Sequence, residues 1–411
     1  MKVTVKDLVH VGPGTLAGRY LRSFWHPVFR SEDIQVGQAV PIRILGEDFT
    51  LYRGDSGKAY IVAPRCAHRL TRLHTGQIHG DKIACLYHGW QYDGTGQCTF
   101  QPGEDERFTR NTKIAAYPTE EYLGLIWGYF GEGEAPPMRR LPDFDRPGLI
   151  SPSPPEHWPC NYFNRLDNAT DGMHVFYTHS ESARREPNIG SGANAGVMMS
   201  QETVETEFGL ETAVAFEKRT IYFQFLMPNA NVISPTFGRL EGPLNGPRAW
   251  RAEVFFRVPV DDENTITFGV FFIDLHGEDA EHYIKLRDEA RQVFDGDPGH
   301  FINSTAEAVL AGRKRLAEMD PRMGSYYSFL VEDYVTQVGQ GTIADRDNER
   351  LCRSDKEMVI LRRLWMRELQ ALADGKPIKQ WAVPPNLLDR TEPQPSWAAG
   401  APASADGPGA V

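Results

Sequence analysis

The sequence has 411 residues, 41% of them hydrophobic and 24% charged, a globular balance in a chain long enough for two domains. A net charge of −11, with no basic stripe interleaved with aromatics, argues against a nucleic-acid partner. No run of about 18 apolar residues is present to span a bilayer, and MKVTVKDLVHVGPGTLAGRY lacks the apolar core of a signal peptide, so a cytoplasmic chain without a membrane partner is expected.

Residues 41–62 (PIRILGEDFTLYRGDSGKAYIV) write strand–turn–strand, with Asp55-Ser56-Gly57 at the hairpin position. Similar punctuation runs to about residue 135, so an all-β unit over 41–135 is expected, with residues 1–40 as an N-terminal segment packing on the second domain. Seven prolines between 133 and 155 mark the crossing to that domain, 136–390. Within it, 161–179 has helical spacing, 203–275 alternates as strands, and 279–296 and 302–318 read as helices. The clearest helix is 354–375, with Ser354 as N-cap, Glu357 three residues on, and Gly375 as its stop. Met358, Leu361, Trp365, Leu369 and Leu372 form its apolar stripe. The Pro/Gly/Ala-rich 391–411 reads as a disordered tail. These elements define an α+β protein.

Five cysteines do not make a disulfide framework, and Cys98, Cys160 and Cys352 read as ordinary thiols. Cys66 and Cys85 lie in CAHRLTRLHTGQIHGDKIACLYHGW, which spells Cys66-x-His68, sixteen residues, then Cys85-x-x-His88. Two loops each offer one thiolate and one imidazole, the inventory of a [2Fe–2S] cluster with two Cys on one iron and two His on the other. A Cys₂His₂ zinc site is the alternative, but zinc fingers usually place both cysteines before both histidines. Tyr87, Gly89 and Trp90 could shield a cluster. His74 and His79 lack ligand spacing.

NRLDNATDGMHVFYTHSE holds Asn168-x-x-Asp171-x-x-His174-x₄-His179. Asp171 and His174 share a helical face, whereas an i+5 partner in a regular helix is turned away by about 140°. Bringing both histidines to one metal needs a distortion, such as a π-bulge. Two histidines and one carboxylate make the facial triad of non-haem Fe(II) oxygenases. The carboxylate is expected from far along the chain, Asp171 being too close in sequence. Asp333 in YSFLVEDYVTQ is the candidate, with Glu332 its rival and Asp320 a poorer one. Phe223, Phe225, Met227 and Phe271 are possible pocket walls, though such residues more often belong to a core.

Together the two motifs resemble those of the Rieske non-haem iron aromatic oxygenases, and the resemblance covers nearly the whole chain. It includes GTLAGRYLRSFWHPV, the Met-Pro-Asn at 227–229 and RVPVDDENT at 257–265. The segment ADRDNERLCRSDKEMVILRR is most similar to the phthalate-dioxygenase-type branch of α-only oxygenases. The stretch after Cys66 is similar to the biaryl aromatic-acid O-demethylases of the dehydrodivanillate type. One departure stands at Arg69-Leu70, where the usual motif has Arg-Gly. The resemblance implies a Rieske domain and a catalytic domain of helix-grip type. Cys66, His68, Cys85 and His88 would hold the cluster; His174, His179 and Asp333 would hold Fe(II). Asn168 and Asp171 would be catalytic, Asp171 bridging the iron to a neighbouring subunit's counterpart of His88. A homotrimer or hexamer follows, with O₂ as cosubstrate and an aromatic acid as substrate. No nicotinamide fingerprint is present, so NAD(P)H electrons would come through a reductase, with or without a ferredoxin. O-demethylation and ring cis-dihydroxylation both fit, and a pure Rieske electron carrier is a distant third.

Overall fold

In the computed structural model the described residues are 2–179, 181–182, 198–216, 220–239, 248–292, 297–383 and 387. The tail expected at 391–411 lies outside them. The first part is built on short antiparallel strands. β1 (Trp25–Arg30), β2 (Ala39–Ile44), β3 (Glu47–Arg53) and β4 (Ala59–Val62) are followed by β5 (Gln77–His79) and β6 (Lys82–Ala84). Then come β7 (Gln91–Asp93), β8 (Cys98–Phe100), β9 (Ala116–Tyr117), β10 (Thr119–Tyr122) and β11 (Leu125–Tyr129). They form three sheets, ordered β2-β3-β4-β9, β5-β6-β7-β8 and β1-β11-β10. The β3–β4 hairpin turns at Asp55-Ser56-Gly57, as its composition predicts. Two helices precede the Pro-rich crossing, α1 (Leu16–Arg22) and α2 (Glu106–Asn111). The second interrupts the expected all-β stretch, because Asp105 caps it through the Phe108 N–H at 2.8 Å.

The segment 1–40 divides its packing. Val3 donates its N–H to Gln370, and the Leu8 and Val9 carbonyls accept from Tyr162 and Asn161, which ties the first residues to the second half. Trp25–Arg30 instead pairs with β11.

The second half carries one large antiparallel sheet. Its strands are β12 (Leu149–Pro152), β13 (Glu156–Trp158), β14 (Met198–Glu205), β15 (Gly209–Phe216), β16 (Thr220–Leu226), β17 (Ala230–Arg239), β18 (Arg248–Pro259) and β19 (Thr265–Ile273). The order is β12-β19-β18-β17-β16-β15-β14, with β13 also on β19. The β19 strand is buried along its whole length. This is the α+β architecture with a β-built N-terminal part that the sequence predicts.

The helices of this half are α3 (Tyr162–Ala169), α4 (His174–Tyr177), α5 (Gly277–Gln292), α6 (Pro298–Leu310), α7 (Gly324–Val338) and α8 (Lys356–Ala373). Three differ from expectation. The 161–179 helix is broken into α3 and α4. The 302–318 helix stops at Leu310, with Gly312 at φ +68° beyond it. At α8 the N-cap is Asp355, not Ser354, and Glu357 turns into the interior, where Thr203 donates to it at 3.2 Å. The α8 stripe is buried at Leu361, Trp365 and Leu369, and Trp365 packs edge-on to Tyr20, Tyr162 and Phe163. One core therefore joins α1, α3, α8 and both sets of sheets. No helix among the described residues is long and apolar enough to cross a membrane.

Candidate metal centres

The β5–β8 sheet presents two loops of matched design. The Leu70 N–H donates to the Cys66 carbonyl and the Gly89 N–H to the Cys85 carbonyl, closing two similar turns. Both turns end in left-handed backbone, with φ +60° at Leu70 and +71° at Gly89. Glycine meets that demand freely; leucine adopts it at a cost of about 1 kcal/mol. Cys66 and Cys85 are buried and free of disulfide. They sit in a small core with Tyr92 and Trp90, and the Tyr92 hydroxyl lies 3.2 Å from the Cys66 Sγ. Burial pushes the Cys85 thiol up, and the neighbouring Cys66 adds to it. Thiols in such a place become thiolates readily only with metal to neutralise them.

His68 and His88 lie outside this core, exposed, with ring centroids 4.5 Å apart. His68 stacks on Trp90 at 4.5 Å, and Tyr87 packs on His88 at 3.9 Å. Two buried sulfurs below two exposed imidazoles suit a diiron cluster with one sulfur-bound and one nitrogen-bound iron. His74 and His79 stand apart from this group.

The second constellation forms where the chain breaks between α3 and α4. Asn168 accepts the Asp171 N–H through its carbonyl, and the Asp171 carboxylate accepts the N–H groups of Met173 and His174 at 2.9 and 3.2 Å. Asp171 thus ends one helix and starts the next. The awkward i+5 spacing is met without a π-bulge because α4, which His174 opens, ends at Tyr177 and leaves His179 in the turn beyond it. His174, His179 and Asp333 converge, each offering a ligand atom within 4.8 Å of the others.

Asp333 arrives from the third turn of α7. Its Oδ1 lies 3.5 Å from His179 Nε2 and 3.8 Å from His174 Nε2. That Oδ1 is buried without a hydrogen-bond partner, an arrangement that costs free energy unless something positive completes it. The Nδ1 atoms are already engaged, that of His174 with the Asp171 carbonyl and that of His179 with Glu332 at 3.2 Å. Both Nε2 atoms are therefore left to face Asp333. Burial holds the His174 imidazole below its usual range although Asp333 pulls the other way, which favours the neutral form that ligates metals. Two imidazoles and one carboxylate, with one orphaned oxygen between them, fit a divalent iron.

The rivals to Asp333 have other duties. Glu332 is fully buried and turns away, accepting from the Glu181 and Ser182 N–H groups and from Ser182 Oγ at 2.6 Å. Asp320 caps a 3₁₀ turn and pairs with Arg322. Of the possible pocket walls, Phe225 and Met227 belong to the central core, and Phe271 packs with Ile273, Leu275 and Tyr283.

Sequence reading did not find the carboxylate next to the iron motif. Asp167 is buried and receives Arg362 at 2.7 Å and Arg346 at 2.9 Å, while Arg362 also reaches Glu349 at 2.6 Å. This network fastens the α3 end to α8 and to the 344–349 loop. Its neighbours in sequence, Asn164-Arg165-Leu166 and Asn168-Ala169-Thr170, carry no signal of that role.

Residues 24–118 match the Rieske [2Fe-2S] domain. Beyond that domain, over 90% of its length, the chain is similar to oxygenase subunits of O-demethylating and ring-dioxygenating systems. It is 29% identical over 393 residues to the 5,5'-dehydrodivanillate O-demethylase oxygenase subunit of Sphingobium sp. (strain NBRC 103272 / SYK-6), covering 90% of this chain and 80% of that one. It is 26% identical over 412 residues to the phenoxybenzoate dioxygenase subunit alpha of Ectopseudomonas oleovorans, covering 90% and 85%. Homology to phenoxybenzoate and phthalate dioxygenase subunits agrees with the branch that the C-terminal segment resembles. The fold is shared with the oxygenase in the ferredoxin complex of carbazole 1,9a-dioxygenase, at a TM-score of 0.60, 17% identity, and coverage of 90% and 94%.

Proposed function

We propose that this oxygenase O-demethylates an aromatic acid of the methoxybenzoate or biaryl class. The observation that carries an iron-dependent reaction is the His174, His179, Asp333 convergence with its orphaned Asp333 Oδ1. The O-demethylase relative, matched over 90% of this chain, favours the methyl group as the point of attack. The second reading is ring cis-dihydroxylation, favoured by the phenoxybenzoate dioxygenase relative.

Cys66, His68, Cys85 and His88 would hold the [2Fe–2S] cluster, and His174, His179 and Asp333 the Fe(II). Bound there, the iron supplies O₂ activation beside the substrate. The chain's own residues then set the conditions. Glu332 and the Asp171 carbonyl hold the two imidazoles in orientation, and Asp171 keeps one carboxylate oxygen without a hydrogen bond among the described residues. That oxygen is available to the counterpart of His88 in a neighbouring subunit, so the active unit would be a homotrimer or hexamer. A reductase drawing on NAD(P)H, directly or through a ferredoxin, would approach the exposed His68 and His88. The working division is 1–40, 41–135, 136–390 and 391–411, with the thiols reduced as in cytoplasm.

O-Demethylation adds one oxygen atom of O₂ to the methyl carbon, and formaldehyde leaves with the phenol behind. The other atom becomes water with two electrons and two protons. The test supplies purified oxygenase and reductase with a panel of methoxylated and plain aromatic acids. Formaldehyde in step with a free phenol is the expected result; a cis-diol without formaldehyde would replace this reading with dihydroxylation. Metal analysis should give about three iron and two acid-labile sulfide per chain, against about two and two for an electron carrier.

A further inference from the structure

A cavity of about 80 Å³ lies away from both metal centres, and none of its lining residues belongs to either. Space of this size encloses several waters, and the cavity opens to solvent at the exposed Pro137, so a ring held there would extend to the surface. Its walls include Trp25, Trp127, Trp381, Tyr122 and Phe256, drawn from β1, β11, β10, β18 and the stretch after α8. Among the described residues, Arg139, from the Pro-rich crossing, is the only charged one lining the cavity, and no carboxylate lines it.

Arg139 donates to the Met227 carbonyl at 2.7 Å and to the Trp381 carbonyl at 3.4 Å. Two carbonyls use part of a fork that has five N–H donors. Among the described residues no carboxylate stands within ion-pair distance of it, whereas Arg140 beside it pairs with Glu120 at 3.6 Å. Burial pulls the Arg139 guanidinium down to about 10, as happens to a cation enclosed without a counter-ion. Two walls are backed by ion-paired cations: Arg140, paired with Glu120, lies 4.4 Å over the Tyr122 ring, and Lys379, paired with Glu205 at 3.8 Å, lies 3.7 Å over the Trp381 ring. Arg139 is half-buried and has no counter-ion among the described residues, and its planar fork matches a carboxylate bidentately.

We infer that this cavity binds a small aromatic monocarboxylate, its carboxylate on Arg139 and its ring among the tryptophans. Aromatic walls with one convergent charged group are the usual composition of a small-ligand site. The site is separate from substrate turnover at the iron and does not depend on which aromatic acid is oxidised there.

The test uses the full metal-loaded protein and 4-bromobenzoate, with 4-bromobenzyl alcohol as the uncharged control. Crystals grown with the acid should show anomalous bromine density in this cavity with the carboxylate at Arg139. In solution, tryptophan fluorescence should titrate to saturation with the acid and not with the alcohol. Affinity for this site should fall roughly ten-fold or more in Arg139→Met and be partly kept in Arg139→Lys, since a charge-assisted fork is lost or reduced. Bromine only at the iron site, or nowhere, overturns the inference, as does equal binding of the alcohol or an unchanged titration in Arg139→Met. The crystallographic arm needs only the unaltered protein, so a variant that fails to fold leaves it decisive.

Discussion

Around Cys66 and Cys85 the imidazoles of His68 and His88 face outward beside Leu70, Leu86 and Tyr87, all exposed. Around Asp333 the imidazoles turn inward, His179 is buried, and a fully buried Glu332 fixes its ring. The first region is a pair of short hairpin loops, each built within a few residues. The second draws on a helix break, on α7 some 150 residues later, and on the buried Asp167, Arg346, Arg362 network. The difference teaches where each kind of chemistry can sit. A centre that passes electrons has to be reached by a partner, whereas one that activates a small molecule needs fixed ligands shielded from bulk water.

The sharpest way to break the comparison is to remove the inward ligand. Asp333→Ala should abolish turnover and drop the iron count by about one per chain, while cluster absorbance and sulfide stay. Loss of the cluster as well would show that the two regions do not fold independently around their metals. Asp171→Asn should keep both metals yet lower turnover at least about 100-fold, or roughly 2.7 kcal/mol of barrier. Turnover near that of the unaltered chain removes the bridge role. Glu332→Gln should weaken mononuclear iron binding by about 10- to 100-fold with the cluster untouched, read by competition with a chelator.

The remaining two concern stability. Arg362→Met leaves the buried Asp167 with Arg346 alone and should cost about 3 kcal/mol in urea melts. At the outward centre the sign reverses: Leu70→Gly should stabilise by about 0.5–1 kcal/mol, because the turn holds leucine at positive φ. A destabilising result would mean that the 62% exposed Leu70 side chain makes contacts that its exposure hides.

Much was legible in the residues themselves. The Cys-x-His and Cys-x-x-His loops, the β-rich first third, the alternating strands of 203–275 and the α8 stripe all depend on neighbours close in sequence. Periodicity and turn chemistry report such neighbours directly. The α3–α4 break was not legible as such, since helical spacing continues through Thr170–Met173. It arises because Asp171 caps the turn after it, a choice that side-chain geometry makes. The Ser354 N-cap failed for a related reason: Glu357 turns into the core, and the helix starts one residue later, after Asp355.

By itself the sequence determined the ligand types and their local spacing, because a thiolate, an imidazole and a turn are properties of short segments. It left Asp333, Glu332 and Asp320 as rivals, and only the tertiary structure separated them. On one turn of α7, Asp333 faces the Nε2 atoms of both histidines, and Glu332, the adjacent residue, meets His179 Nδ1 and Ser182 instead. Successive positions on a helix differ by about 100°, so which of two neighbouring carboxylates faces the paired Nε2 atoms depends on how the helix is rotated in its packing. That rotation is set by the core around Trp158, Tyr327, Val331 and Tyr334, contacts that no single stretch of sequence contains.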